Sequence, residues 1–383
     1  HFYIIKYKKT PIEKRFGEWK KRSSENRILL SVYRSERKGK SMKFLFASDS
    51  LKGTLSSDDT GRLLAKAAKE VFPACICEGI PVADGGEGTV DAVIRAVQGQ
   101  QIRVKAQDPL MQTRETYYGK LDENRAIIEM ALASGYALVP AEKRNPLYTS
   151  SYGTGELIRD ALDRGFRDIT IAIGGSATND GGMGCMRALG VRFLDRAGRE
   201  LMGNGSDLGR LAAIDDSGLD PRIADAVFTV MCDVTNPLCG ENGATYTFGP
   251  QKGATPEILE RLERGMENYR DILIRTYDMN PDTIPGSGAA GGLGAALLVF
   301  LRAQLKSGIE TVLDLIEFDR RLKGVSLVVT GEGCTDRQSC YGKVVQGVGD
   351  RCRKHNVPAV ALVGGMGEGA EQIYEHGIRS IVT

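Results

Sequence analysis

The chain is poor in histidine, with three in 383 residues, and has a single tryptophan. So few imidazoles remove Ser-His-Asp and Cys-His catalysis as explanations and leave little for a zinc site. The eight cysteines are scattered without paired CxxC spacing, which reads as reduced thiols in a cytoplasmic protein. No apolar run approaches the length of a membrane span. No GxxxxGK[ST] occurs, which excludes a P-loop kinase, and the protein-kinase loop signatures are also missing. The net charge of +2 conceals an asymmetry. Residues 1–41 hold thirteen Lys and Arg against four Glu, so the remainder carries 38 basic against 45 acidic groups. An acidic body gives no support to a nucleic-acid partner.

Glycine is abundant, at 47 residues, and much of it sits in loops that follow apolar segments. Thr170 to Ile173 reads as a buried strand, and Gly174 and Gly175 break it. Ser176, Thr178, Asn179 and Asp180 then gather in one loop. Gly181, Gly182 and Gly184 lead into a helix from about Met183. A strand ending in a polar, glycine-rich loop that feeds a helix is the site geometry of open α/β sheets.

The same style recurs. Met42–Ser48 predicts a strand followed by Asp49-Ser-Leu-Lys-Gly, and Ser56 begins a helix through Glu70 with Leu63, Leu64, Ala67 and Val71 on its apolar side. Ile76–Val82, a loop with Asp84 and Glu87, and a helix over 89–97 extend this βαβα pattern, which predicts a parallel sheet. Gln101–Gln107, Thr113–Gly119 and Ala126–Met130 read as strands without crossover helices, hence a mixed patch. Thr255–Met279 is a long amphipathic helix carrying Ile258, Leu262, Met266 and Tyr269 on one side. Strand, loop and helix alternate again from Val325 to Thr383.

Several of these stretches together resemble one family. Ile173-Gly-Gly-Ser-Ala-Thr-Asn-Asp-Gly-Gly-Met-Gly is similar to the signature of bacterial glycerate kinases. Asp49-Ser-Leu-Lys-Gly-Thr-Leu-Ser, Pro81-Val-Ala-Asp-Gly-Gly-Glu-Gly-Thr and Asp233-Val-Thr-Asn-Pro-Leu-Cys-Gly fit it in order. So do Phe248-Gly-Pro-Gln-Lys-Gly-Ala, Gly286-Ser-Gly-Ala-Ala-Gly-Gly-Leu-Gly and Thr330-Gly-Glu-Gly-Cys-Thr-Asp-Arg-Gln. The resemblance implies phosphorylation of glycerate with ATP and magnesium, leaning towards the 2-hydroxyl. It also makes residues 1–41 look like a non-native or disordered basic leader upstream of Met42, and the C-terminus look truncated.

The expected fold is two α/β domains. A doubly wound, Rossmann- or flavodoxin-like domain takes 42–107 plus 286–383, and a mixed-sheet domain, 108–285, is inserted in it. The expected partners are small molecules, with no nucleic acid and no membrane; a homo-oligomer stays open.

Phosphoryl transfer asks for cations and amides around phosphates, a metal, and an acid that orients the attacking hydroxyl. Asp180 is assigned to the hydroxyl, directly or through magnesium, with Asp336 as its rival and Asp180 then a metal ligand, and Lys52 joins them as catalytic. Asp84, Glu87, Asp233 and Glu332 are metal candidates, since magnesium suits hard oxygen ligands. Asp49, Ser50, Ser176, Asn179, Lys252, Gly331 and Lys343 are assigned to substrate or phosphate. Gly286, Gly288 and Gly291 formally match GxGxxG, but no strand precedes them. They read instead as a helix N-terminus whose amides hold an anion. A non-catalytic protein that binds a nucleotide or carboxylate through the same loops is the alternative, and a nicotinamide oxidoreductase, resting on the Gly286 stretch alone, is a weaker third.

Overall fold

The structure, a computed structural model, describes residues 42–51, 55–340 and 342–383. The expected leader, 1–41, and Lys52 lie outside these residues. In chain order the strands are β1 (Lys43–Ser48), β2 (Ile76–Pro81), β3 (Gln100–Gln107), β4 (Thr113–Lys120), β5 (Arg125–Glu129), β6 (Asp168–Ala172) and β7 (Arg192–Asp195). They continue with β8 (Leu211–Asp215), β9 (Val227–Met231), β10 (Gln304–Lys306), β11 (Leu327–Glu332), β12 (Ala359–Val363) and β13 (Ile378–Val382). The chain divides into two compact units, one running up to Pro81 and resuming over Glu317–Thr383, the other Val82–Ile316. The seams therefore differ from the expected 107 and 286. Segments 82–107 and 286–316 go with the second unit because β3 and β10 hydrogen-bond into its sheet.

The first unit is an all-parallel sheet in the order β13-β12-β11-β1-β2. Counted along this unit alone, that is the flavodoxin-like order 2-1-3-4-5, whose switch point lies between β1 and β11. Leu45 and Ala47 of β1 are fully buried, as a central parallel strand requires. The helix Ser57–Val71 is capped by Ser56, whose Oγ accepts from the Asp59 amide at 3.1 Å. Its buried side is not the expected one: Leu63 is 49% and Val71 55% exposed. Gly61 packs against Gly79 of β2, so the helix rolls onto Gly61, Leu64, Ala65 and Ala68.

The second unit is a mixed sheet ordered β10-β9-β6-β5-β4-β3. β5, β6, β9 and β10 run parallel, while β3, β4 and β5 pair antiparallel, as the absence of crossover helices foretold. Its core joins Ile128, Ile169 and Ile171 of the sheet to Leu157 and Ile158 of the helix Tyr152–Asp163. Leu262, Met266 and Tyr269 of the helix Pro256–Tyr277 bury in the same core. The apolar run after Gly286 makes the helix Ala289–Leu301, interrupted at Ala290, Gly291 and Gly292, which all take positive φ. The β7–β8 ribbon was not anticipated, because four- and five-residue strands carry too few alternations to register. Among the described residues no helix is long and apolar enough to cross a membrane.

Candidate functional site

The loop after β6 is built around one buried carboxylate. Asp180 is fully buried, and its Oδ2 accepts from the Ser151 amide at 2.8 Å, the Ser151 hydroxyl at 2.7 Å and the Gly184 amide at 3.3 Å. Oδ1 accepts from the Gly182 amide at 3.0 Å. Burial raises its pKa, and these hydrogen bonds only partly offset that. The expected direct action of Asp180 on a substrate hydroxyl therefore gives way to a positioning role. Both oxygens face protein, and their acceptor sites are filled by the ends of two helices.

Asn179 is likewise fully buried. Its Nδ2 donates to Thr245 Oγ1 at 3.2 Å, tying the loop to the helix Ala244–Phe248, while its Oδ1 is buried without a hydrogen-bond partner. Thr149 Oγ1 donates to the Ala177 carbonyl at 2.9 Å. Ser176 differs from its neighbours: it is half-buried, at the loop's outer edge, next to Gly175 at φ +73.

Behind Ser176 stands Lys252. It is 3% exposed, and its Nζ donates to Ser176 Oγ at 2.8 Å and to the Thr178 carbonyl at 2.7 Å. Its expected direct contact with phosphate or substrate is corrected on that ground, since the ammonium is enclosed by protein. Burial lowers its pKa to about 7, against a smaller raising field from Asp180.

The Gly286 stretch is also corrected. The Ser287 amide donates to Ile284, Gly288 to Asn236, Ala289 to Gly286 and Gly292 to Gly288. A Cβ on Gly288 would lie 2.0 Å from the Pro237 carbonyl, and one on Gly291 2.0 Å from that of Thr178. Gly286, Gly288 and Gly291 thus let backbones touch, and the Gly288 amide is already used by Asn236. In particular, the Gly291 carbonyl accepts from the Gly181 amide at 3.0 Å, bracing the β6 loop.

Of the proposed metal acids, Asp84 and Asp233 come together. Asp233 Oδ1 accepts from the Gly308 amide at 2.9 Å. Lost solvation raises the Asp233 carboxyl, and the neighbouring Asp84 charge adds to this. Two neighbouring carboxylates suit a hard cation that keeps other ligands on phosphate or water. Glu87 is exposed on the turn before the helix Thr89–Val97. Glu332 belongs to the first unit, where its Oε1 accepts from Thr335 Oγ1 at 2.7 Å. Among the described residues no group of three or more His, Cys, Asp or Glu could hold a metal.

In the first unit Asp49, Ser50 and Gly331 meet at the switch point. The Asp49 amide donates to the Gly331 carbonyl at 2.9 Å, and Asp49 Oδ1 accepts from the Ser50 amide at 2.6 Å. Gly331 sits where a Cβ would lie 2.0 Å from the Leu362 carbonyl of β12, so close strand packing requires it. Asp336 is half-buried on the loop after β11, and Lys343 caps the start of the helix Val344–Lys354.

Two contributors were missed by sequence reasoning. Ser151 bridges Asp180 and the Cys185 amide, which its Oγ accepts at 3.0 Å. Glu129, at the end of β5, accepts from the Gly88 amide at 3.1 Å and the Val90 amide at 3.2 Å, closing the helix Thr89–Val97. A carboxylate ending an apolar strand was the available signal.

A flavodoxin-ordered unit and a second α/β unit that sets a serine before a buried lysine, with polar loops at their strand ends and no P-loop, describe an α/β enzyme. The chain belongs to the glycerate kinase family, whose pattern it matches over residues 44–383. It is 45% identical over 343 residues to glycerate 2-kinase of Escherichia coli (strain K12), covering 89% of this chain and 90% of that one. It is 45% identical over 335 residues to a glycerate kinase of Halalkalibacterium halodurans, covering 87% and 88%. A crystal structure of glycerate kinase 2 from Salmonella typhimurium LT2 superposes with a TM-score of 0.83 at 43% identity, covering 89% and 90%. The protein is a kinase that phosphorylates glycerate.

Asp180→Asn would turn an NH2 group towards donors on Ser151 and Gly184. We expect a loss of roughly 2–5 kcal/mol in urea unfolding; an unchanged midpoint would contradict the positioning role. For Lys252 the folded pKa, about 7, lies below the ordinary 10.5. Between these values the unfolded chain holds a proton that the folded chain has released, so this group's contribution to stability rises with pH. The urea midpoint of the wild type should therefore gain on that of Lys252→Met from pH 7 to pH 9. A constant gap between the two would refute this.

Proposed function

We propose that the enzyme transfers the γ-phosphoryl group of ATP to the 2-hydroxyl of D-glycerate, with magnesium. What carries this reading is Ser176, whose half-buried hydroxyl stands beside the buried 177–182 stretch, with a lysine ammonium 2.8 Å behind it. Such a donor fits the glycerate carboxylate. The amides around it are held by the Asp180 network, so little reorganisation accompanies binding.

Asp49, Ser50, Gly331 and Lys343, at the switch point of the first unit, are assigned to the ATP phosphates. With Asp180 withdrawn into the protein, Asp336 takes the role of orienting the acceptor hydroxyl. Asp84 and Asp233 would hold the magnesium, which when bound neutralises phosphate charge. The eight cysteines are all free thiols, in keeping with a cytoplasmic setting. The E. coli relative is named for the 2-position, which supports our choice of hydroxyl. A non-catalytic regulatory role has no observation in its favour.

A coupled assay of ADP release with D-glycerate tests the donor and acceptor together, and absence of turnover would end the reading. Proton-coupled phosphorus NMR of the product tests the position: one proton coupled to phosphorus means the 2-phosphate, two mean the 3-phosphate. Asp336→Asn should lower kcat by on the order of 10²–10⁴ with the fold intact. Retention of more than about a tenth of turnover, far short of that range, would release Asp336 from the role. Asp233→Asn should raise the magnesium requirement and recover in part at high magnesium, and an unaltered magnesium titration would exclude Asp233 as a ligand.

A further inference from the structure

The turn that carries Lys252 is locked. Pro250–Lys252 is a single 3-10 turn ended by Gly253 at φ +93, where a Cβ would lie 2.3 Å from the Arg144 carbonyl. The lysine stem is thereby held inward, and both partners of its ammonium are neutral oxygens. A buried ammonium with only neutral partners is left short of counter-charge. By donating to Ser176 Oγ it occupies one lone pair there and repels the hydroxyl proton. That proton must point elsewhere, and Ser176 is open on its outer side.

We infer that Lys252 is a positioning residue that never touches the ligand but presents its charge through the Ser176 hydroxyl, so that the pair binds the substrate carboxylate as one unit. This rests on the reading of the 174–182 loop as the glycerate site. Asp180 is the ionisable group whose field Lys252 feels. Arg144, across Gly253, stacks its guanidinium on the Tyr136 ring. Glu263 of the helix Pro256–Tyr277 is engaged by the Gly240 amide at 2.6 Å. An anion placed before Ser176 supplies the missing counter-charge and stabilises the cationic form. Free enzyme with Lys252 near 7 must then take up a proton on binding at higher pH.

The test is calorimetric titration of D-glycerate into the full chain, with and without ADP, at pH 6 and pH 8, in buffers of different ionisation enthalpy. We expect uptake of about one proton at pH 8 and little at pH 6, with Kd weakening towards about tenfold per pH unit above 7. Lys252→Met should lose the uptake and flatten the pH dependence, and Ser176→Ala should lose affinity and uptake together. A purely structural lysine would lower stability when replaced and leave no proton signal in the wild type. Binding at pH 8 without uptake overturns the inference and leaves the glycerate site standing. Ser176→Ala with affinity and uptake intact removes Ser176 from the site and overturns the reading of the loop together with the inference. No binding of glycerate at either pH, with or without ADP, overturns the reading of the loop and the inference with it.

Discussion

The second unit depends on the Asp180 carboxylate. Four donors from three places in the chain meet on its two oxygens: Ser151 twice, Gly182 and Gly184. Ser151 begins one helix and Gly182 the other, so one side chain fixes where two helices start relative to β6. Everything nearby inherits that geometry. Gly181 can donate to Gly291 only because the turn is held, and Gly291 can approach only because it lacks a side chain. The loop is thus braced over residues 178–184 with Ser176 half-buried at its start, and a braced frame is what a binding site requires.

The alternation of strand, loop and helix was legible because it is written in local terms. Val344–Lys354 has a periodic apolar side, and β3–β5 lack room for crossovers. The family motifs likewise fall on the loops that follow β1, β2, β6, β9 and β11. What could not be read was direction. Asp180 and Ser176 are four residues apart in one polar loop, yet one is sealed in protein and the other is half-open. The difference lies in Ser151, about thirty residues away in sequence, and no local pattern announces it. The Gly286 stretch failed for a related reason. Glycine is used both where a ligand approaches and where another backbone does, and only the positions of Pro237 and Thr178 decide which. Leu63 and Val71 were misplaced because a Gly61–Gly79 contact, not helical periodicity, chose the face that packs.

The two units use the same device with different partners. In the first, the order 2-1-3-4-5 leaves a gap at the ends of β1 and β11, and Asp49 and Gly331 meet across it. In the second, the parallel strands β6 and β9 end in Ser176-to-Asp180 and in Asp233, and the loop after β2 contributes Asp84. Strand carboxyl ends place loops on one edge without any long-range pairing of side chains, so each unit can assemble its share of polar groups from its own sheet.

The magnitudes explain why the buried charges behave differently. A hydrogen bond to an ionised group contributes about 1.5–3 kcal/mol, while burying an ion costs several kcal/mol even after relaxation. Asp180 receives four such bonds, and burial still outweighs them, so its pKa moves up rather than down. Lys252 makes two, both to neutral oxygens, and the shortfall appears as a pKa near 7. A carboxylate needed only to hold a loop has been supplied with donors; the lysine has been left short. Stability alone gives no reason to keep an under-solvated lysine when a methionine of similar length would fill the space. The reason has to lie in what stands before Ser176, and the ligand class that completes the lysine's missing interaction is an anion.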